Sequence, residues 1–467
     1  MRYRSTRGTA PTLGFDDVLL TGLARDGGLY LPESWPRFSA ETLRSLRGKP
    51  YAELATAVMQ PFVAGSAIEE EFPRIVAETY EVFDHSAVTP LKQLDADLWL
   101  LELFHGPTLA FKDVALQLLG RLFDAVLARR RRRLTIVGAT SGDTGSAALE
   151  ACRDRGNLDI FVLFPKGRTS EVQRRQMTTI AARNAHAIAV DGSFDDCQDL
   201  VKALFADEDF RDEFGLSAVN SINWARIMAQ IVYYFAAALA LGAPDRRVCF
   251  SVPTGNFGNV YAAYAARQMG LPIERLFVAS NRNDILARFF EGGEMRIGSV
   301  EPSLSPSMDI QVSSNFERLL FDLTGGNGAE VAQIMTAFRS DGSYRLTPQR
   351  MAQVAEIFRG FRLDDPGTIA EIRKTHAATG ETLDPHSAVG LGAARALAER
   401  GAATISLACA HPAKFPDAVE QSTGVRPSLP ERLSDLYERP ERVTELPNDL
   451  NALRAHVRAH AKGLSVV

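Results

Sequence analysis

From Asp97 onward the chain alternates short runs of apolar and β-branched residues with longer stretches of helical period. The runs are LWLLEL, LTIVGA, DIFVLF, HAIAVDG, VCFSVP, RLFVAS and TISLACA. Strands separated by helices build βαβ units on a parallel sheet, so the pattern predicts an α/β core with more than one lobe. Residues 1 to about 90 read differently. Short helical patterns such as PYAELATAVMQPF sit there among Gly- and Pro-rich turns like ARDGGLYLPESWP, which predicts a separate, mostly helical N-terminal unit. Around Gly325–Thr379 helical periodicity dominates (AEVAQIMTAF, PQRMAQVAEIF) and predicts a helical insertion before LDPHSAVGLGAARALAER and the last strand. Everything after Pro427 is polar and reads as a surface tail with a helix at DLNALRAHVRAHA. The most apolar stretch, Ile227 to Gly242, is shorter than the ~20 residues of a membrane span and carries Gln230; it predicts a buried helix.

Composition adds limits to this picture. A chain of 467 residues holds about three times the usual ~150 residues of a domain, enough for two or three packed units without a disulfide or metal staple. Lys+Arg 52 against Asp+Glu 57 gives a net charge of −5, which argues against a nucleic-acid or membrane-surface partner. Cys152, Cys197, Cys249 and Cys409 lie far apart, with no C-x-x-C pair and no histidine cluster at ligand spacing. We expect no metal and a reducing compartment, the cytoplasm. The opening MRYRSTRGTAPT has no apolar core behind it, so no secretory signal is expected. The run Arg129–Arg133 follows a helical pattern, where cations more often complement a helix C-terminus than form an anion patch.

Two strand-to-helix turns are rich in glycine: GATSGDTG at Gly138–Gly145 and TGNFGN at Thr254–Asn259. Such a turn presents free backbone N–H groups and the positive end of a helix dipole, which suits a phosphate or carboxylate. Either loop alone could reflect only tight packing; two in one α/β core favour a small anionic ligand. Neither ends in G-K-[ST], and neither spells G-x-G-x-x-G with an acidic residue ~20 positions on, so nucleotide triphosphates and dinucleotides are poor candidates.

Only eight of the 52 cations are lysines, leaving 44 arginines. Lys49, Lys202, Lys374 and Lys462 sit in polar contexts, and Lys92 is ambiguous. Lys112, Lys166 and Lys414 sit in special settings, and Lys112 in FHGPTLAFKDVALQLLG is the most apolar. An amine desolvated at a helix entry disfavours its protonated form and stays nucleophilic, as a Schiff-base lysine requires. Lysines near apolar residues more often snorkel to water; what sets Lys112 apart is the company of an anion loop.

HGPTLAFKD, the loops GATSGDTGSAA and VPTGNFGN, and the segments YRSTRG, SINWARI, SMDIQVSSNFERLLF, LDPHSAVG and AHPAKF together resemble the threonine synthase family in its longer bacterial and fungal branch. The resemblance runs from Tyr3 to about Gly424. It implies two α/β lobes of the fold type II pyridoxal-phosphate kind, an N-terminal unit over 1–90 and a catalytic region over 91–467. One lobe would lie around 106–240 with Gly138–Gly145; the other around 91–105 and 241–467 with Thr254–Asn259 and the insertion near 325–379. It also implies pyridoxal 5'-phosphate as cofactor and O-phospho-L-homoserine as substrate, converted with water to L-threonine and phosphate by a monomer or homodimer. Lys112 would form the Schiff base, and Gly255, Asn256, Phe257, Gly258 and Asn259 would cradle the cofactor phosphate. Ser141, Gly142, Asp143 and Thr144 would line the substrate side and receive its carboxylate or phosphate, Asp143 also touching the cofactor. Lys166 and Arg168 in PKGRTS would meet the substrate phosphate, unless they are merely a basic loop after a strand.

The family usually has threonine where Cys409 stands, facing the cofactor's pyridine nitrogen. A neutral thiol could donate there as threonine does, whereas a thiolate would favour a protonated ring; we expect the neutral thiol. Two rival readings share the lysine and the fold: a serine/threonine dehydratase or phospholyase, and a non-catalytic pyridoxal-phosphate-binding protein. The S-G-D-T loop and the YRSTRG unit favour the synthase over the first, and the intact F-K-D lysine and G-N-F-G-N loop favour catalysis over the second.

Overall fold

The structure, a computed structural model, describes residues 1–462. Two sheets organise it. The first is parallel throughout, in the order Thr444–Pro447, Ala185–Asp191, Leu158–Pro165, Leu134–Ala139, Leu216–Ser217. The second runs Phe358–Arg362, Ile273–Ser280, Val248–Pro253, Ala403–Ala408, Leu98–Glu102, Leu91–Asp95, with only the last strand antiparallel. All seven apolar runs of the sequence lie in these sheets. Leu158–Pro165 shows why: every residue of LDIFVLFP is buried, as a central parallel strand covered on both faces demands.

Two long helices form the partition between the sheets and the N-terminal unit. Trp224–Ala240 contains the apolar stretch, and its almost entirely buried surface packs against helices Lys112–Arg130 and Gly258–Gln268. Lys112–Arg130 packs in turn on helix Asp143–Cys152, where a Cβ at Gly120 would run into the Ala151 carbonyl. Its basic C-terminus is paired off: Arg129 with Glu71, Arg130 with Asp17 and Arg133 with Asp159. No helix among the described residues is long and apolar enough to cross a membrane.

Within residues 1–90, a three-stranded antiparallel sheet accompanies the helices, centred on Arg2–Ser5. Its next residues reach far along the chain. The Thr6 hydroxyl donates to Glu317 at 2.6 Å, and the Arg7 guanidinium grips the same carboxylate at 3.0 and 2.9 Å. Both Arg7 and Glu317 are largely buried, so this bidentate pair fixes the N-terminal segment against helix Phe316–Leu323.

Two expectations need correction. The polar C-terminal segment is not a surface tail of the second lobe. Thr444–Pro447 joins the edge of the first sheet, and helix Leu450–His460 buries Leu453 and Val457 against Leu163, Ile188 and Leu204. An edge strand needs few apolar residues, and the helix needs only its narrow stripe of Leu450, Leu453 and Val457, which the arginines and histidines around it conceal. The region near 325–379 does hold helices Gly328–Asp341, Pro348–Ala355 and Asp365–Thr379, but Phe358–Arg362 is the outer strand of the second sheet. Gly360 there lets the strand approach Ala287, whose carbonyl would stand 2.8 Å from an added Cβ.

Candidate active site

Lys112 is the first residue of its helix and is 7% exposed. Its Nζ donates to Asp143 Oδ2 at 3.2 Å and to Ser307 Oγ at 3.1 Å. Asp143 opens the helix after the Gly138–Gly145 loop, and it is shared. Its Oδ1 accepts from Lys414 Nζ at 2.9 Å and from Gln173 Nε2 at 2.9 Å, while Ser307 Oγ lies 3.2 Å from Oδ2. Lys414, with no exposed surface, also donates to the Thr108 carbonyl at 2.7 Å. The Thr108 N–H and hydroxyl are taken by Asp113 at 2.8 and 2.7 Å, so the F-K-D aspartate anchors the turn that presents Lys112.

The charges follow from this geometry. Burial, reinforced by the like charges of Lys414 and Arg226, holds the Lys112 amine below the ordinary lysine range against the pull of Asp143. Burial opposes ionisation of Asp143 too, but Lys112 and Lys414, with the hydrogen bond from Gln173, outweigh it and hold that carboxyl well below the usual range. The result is a permanent carboxylate between two ammonium groups, one of which is biased towards its neutral form. The Asp143 side chain is thus spent on the lysines, and only its backbone N–H remains for an anion. Ser141 and Thr144 flank it on the loop, and Gly142 adopts φ +148° with its Cα packed on Gln173, where a side chain would collide.

The second glycine loop differs. Phe257 takes the left-handed conformation (φ +61°), and its N–H is satisfied by Thr254 Oγ1 at 3.2 Å. Among the described residues no protein acceptor takes the N–H groups of Gly255, Asn256, Gly258 or Asn259. Backing this loop is the segment 307–315: an added Cβ at Gly255 would lie 3.0 Å from Ile310 and 3.2 Å from Met308, Ser313 donates to the Gly255 carbonyl at 2.7 Å, and Asn315 N–H to the Asn256 carbonyl at 3.1 Å. One segment thus touches Lys112 through Ser307 and the loop through Ser313 and Asn315. Fully buried Arg318 locks it by bonding Asn315 and the Ile222 and Tyr30 carbonyls.

On the far wall, His386 Nδ1 donates to Asp384 at 2.8 Å and Nε2 accepts the Ser307 N–H at 3.2 Å, which places the ring proton on Nδ1. Asp384 also bonds Ser387, whose hydroxyl receives the Cys409 N–H at 2.8 Å. Burial first, and then Asp384, push the Cys409 thiol well above its ordinary value.

Of the residues singled out from sequence, Lys112, Asp143 and Cys409 come together, with the loops at Ser141–Thr144 and Gly255–Asn259 on either side. Lys166 and Arg168 do not join them. Both are exposed, and Lys166 pairs with Glu445 at 2.7 Å, a partner brought by the C-terminal edge strand. Sequence reasoning noted Lys414 as a lysine in a special setting without giving it a role, and passed over Gln173, Ser307, His386 and Arg226. Arg226 is 4% exposed, its Nε and Nη1 have no partner, and burial lowers its pKa to about 10. An unpaired buried guanidinium close enough to repel Lys112 is a ready anion receptor. Its only signal in the sequence was its place in SINWARI.

These residues fit pyridoxal phosphate. The four free amides form a cradle that a side chain at Gly255 would crowd, Asn259 Nδ2 is buried without a partner, and a desolvated lysine stands across segment 307–315. Comparison with known proteins agrees. Family models described as threonine synthase N terminus, pyridoxal-phosphate dependent enzyme, and threonine synthase C-terminal match residues 2–80, 82–406 and 387–457. The threonine synthase of Pseudomonas aeruginosa is 58% identical over 462 residues, 98% of each chain. A crystal structure of threonine synthase with bound pyridoxal phosphate from Brucella melitensis superposes with a TM-score of 0.98 at 54% identity, covering 99% of this chain and 100% of that one. The yeast threonine synthase structure gives 0.94 at 37% identity over 98% of both. With this coverage from end to end, the chain belongs to the threonine synthase family of pyridoxal-phosphate dependent enzymes.

Proposed function

We propose that the chain converts O-phospho-L-homoserine and water to L-threonine and phosphate. Lys112 carries the cofactor and moves the protons. The observation that supports this most is the Lys112–Asp143–Lys414 cluster beside the unpaired Arg226 guanidinium: one amine held partly neutral, next to a buried cation suited to a phosphate ester.

Pyridoxal phosphate, when bound, supplies an electron sink that acidifies the substrate's Cα proton. The amides of Gly255, Asn256, Gly258 and Asn259, with Phe257 shaping the turn, would hold its phosphate, and the neutral Cys409 thiol would serve its ring nitrogen. Lys112 takes the proton from Cα, passes it on and then takes one from Cβ, so that phosphate leaves Cγ; a proton then returns to Cγ, water gives its hydroxyl to Cβ and its proton to the released phosphate, and a last proton returns to Cα. Both roles need an amine that is neutral part of the time and reprotonates readily, which burial beside a carboxylate provides. Asp143 steadies that ammonium when it forms, and Lys414 holds Asp143 in place. Arg226 takes the substrate phosphate and stabilises its departing charge. The Ser141–Thr144 loop, through its backbone and the Ser141 and Thr144 hydroxyls, takes the substrate carboxylate. Lys166 and Arg168 have no part in this arrangement. Four buried free cysteines suit a reducing cytoplasm.

The experiment is to incubate holoenzyme with O-phospho-L-homoserine and follow phosphate and threonine together. Equal release of both is expected; phosphate with 2-oxobutyrate and no threonine would instead make it a phospholyase.

A further inference from the structure

A second charged cavity, of about 450 Å³, opens beyond the opposite end of the helix that begins at Asp143. That helix is ten residues long, so the cavity lies on the order of 15 Å from the lysine pair. Five guanidiniums line it, from Arg121, Arg153, Arg155, Arg432 and Arg439, against the carboxylates of Asp84, Glu150 and Asp154. Most of these charges are already matched. Arg153 pairs with Glu150 at 3.2 Å, Arg432 with Asp84 at 2.7 Å, and Arg439 with Asp435 at 2.6 Å.

Arg121 and Arg155 are not matched, and they face a single unmatched carboxylate, that of exposed Asp154. Arg121 reaches only the carbonyl and side chain of Gln117, at 3.0 and 3.1 Å, and Arg155 only the Ala151 carbonyl at 3.5 Å. Among the described residues neither forms an ion pair, and Glu78 and Glu150 act on Arg121 only from a longer distance. The two arginines are close enough for Arg155 to disfavour the charge on Arg121, which burial already pulls down to about 10. Two half-buried like charges facing one cavity are a costly arrangement that an anion between them relieves. A second, independent observation points the same way: Gln117 lines the cavity, is 3% exposed, and leaves its Nε2 donor without a partner. Two unmatched guanidiniums and an unmatched amide donor describe a receptor for a tetrahedral oxyanion with several acceptor oxygens.

We propose that this cavity is a second anion site, taking a phosphate-class dianion between Arg121 and Arg155 with Gln117 as a further donor. Its wall is connected to the active site. Arg432 donates to the carbonyls of His105 and Gly106, at the head of the segment that ends in Lys112.

The test is equilibrium binding of labelled inorganic phosphate to holoenzyme, compared with an Arg121→Gln/Arg155→Gln variant and with Arg155→Gln alone, which guards against loss of folding in the double variant. The wild type is expected to bind one more phosphate per chain than the double variant, and Arg155→Gln to weaken that site at least tenfold, with threonine formation at low phosphate unchanged in all three. Methyl phosphate in a parallel arm separates the sources: filling the site marks it as open to phosphomonoesters, and failing to fill it marks it as specific for free phosphate. Equal phosphate stoichiometry and affinity in the wild type and both variants overturns the proposal. Because threonine formation is measured in the same samples, that result leaves the proposed reaction standing.

Discussion

The loops at Gly138–Gly145 and Thr254–Asn259 are near twins in sequence: each follows a buried parallel strand, carries glycines and opens a helix. In the structure they are chemically opposite. The first ends in a carboxylate clamped by two buried lysines and is organised by side chains, with Thr140 Oγ1 capping the Gly142 and Gly145 amides at 3.0 and 2.9 Å. The second keeps four amides unengaged and has its carbonyls tied back by Ser313 and Asn315. A glycine-rich turn therefore marks a place where backbone can approach a ligand, but the side chains on and around it decide whether, as in the first loop, it must also fix a cation.

Substitutions sharpen that contrast. The largest effect is expected from Lys112→Ala: threonine formation should fall about a thousandfold or more, with loss of the cofactor's Schiff-base absorption. Equal turnover would remove the lysine from the mechanism. In the second loop, Gly255→Val forces a side chain against Met308 and Ile310 and should weaken cofactor retention about 10- to 100-fold, measured by dialysis and absorption. Gly138→Ala in the first loop, where an added Cβ meets nothing within 4 Å, should leave retention unchanged.

Lys414→Met probes the clamp. Lys414 favours the neutral form of Lys112, so its removal should raise the Lys112 pKa. The group limiting the pH–rate profile should then titrate at higher pH, and turnover near neutrality should drop on the order of tenfold. Cys409→Thr should change turnover less than about threefold and leave the cofactor absorption and pH profile in place, as a neutral thiol replaced by a neutral hydroxyl requires. Smallest of all, Lys166→Ala should not alter KM, because its partner is Glu445 at the surface.

How much of this was legible in the sequence depends on how local the signal is. The parallel strands were, because a strand buried on both faces is a continuous apolar run. The C-terminal strand Thr444–Pro447 was not, since its place at the edge of the first sheet leaves every second residue exposed. The setting of Lys112 was readable from its immediate neighbours Leu109, Phe111 and Val114. Its clamp was not. Lys414, Ser307 and Gln173 arrive from 302, 195 and 61 positions away by subtraction of their numbers, and nothing local to them announces the meeting. Lys166 and Arg168 misled for a related reason: a basic loop after a strand looks the same whether its side chains turn towards the site or, as here, towards solvent and Glu445.

The claim that the two loops divide the work is tested most directly by a crystal structure of this chain with its cofactor. The account predicts the cofactor phosphate within hydrogen-bond distance of the Gly255–Asn259 amides, the cofactor joined to Lys112, and Asp143 still bonded to Lys414. A phosphate seated instead on the Gly138–Gly145 loop, or a cofactor joined to Lys414, would contradict it.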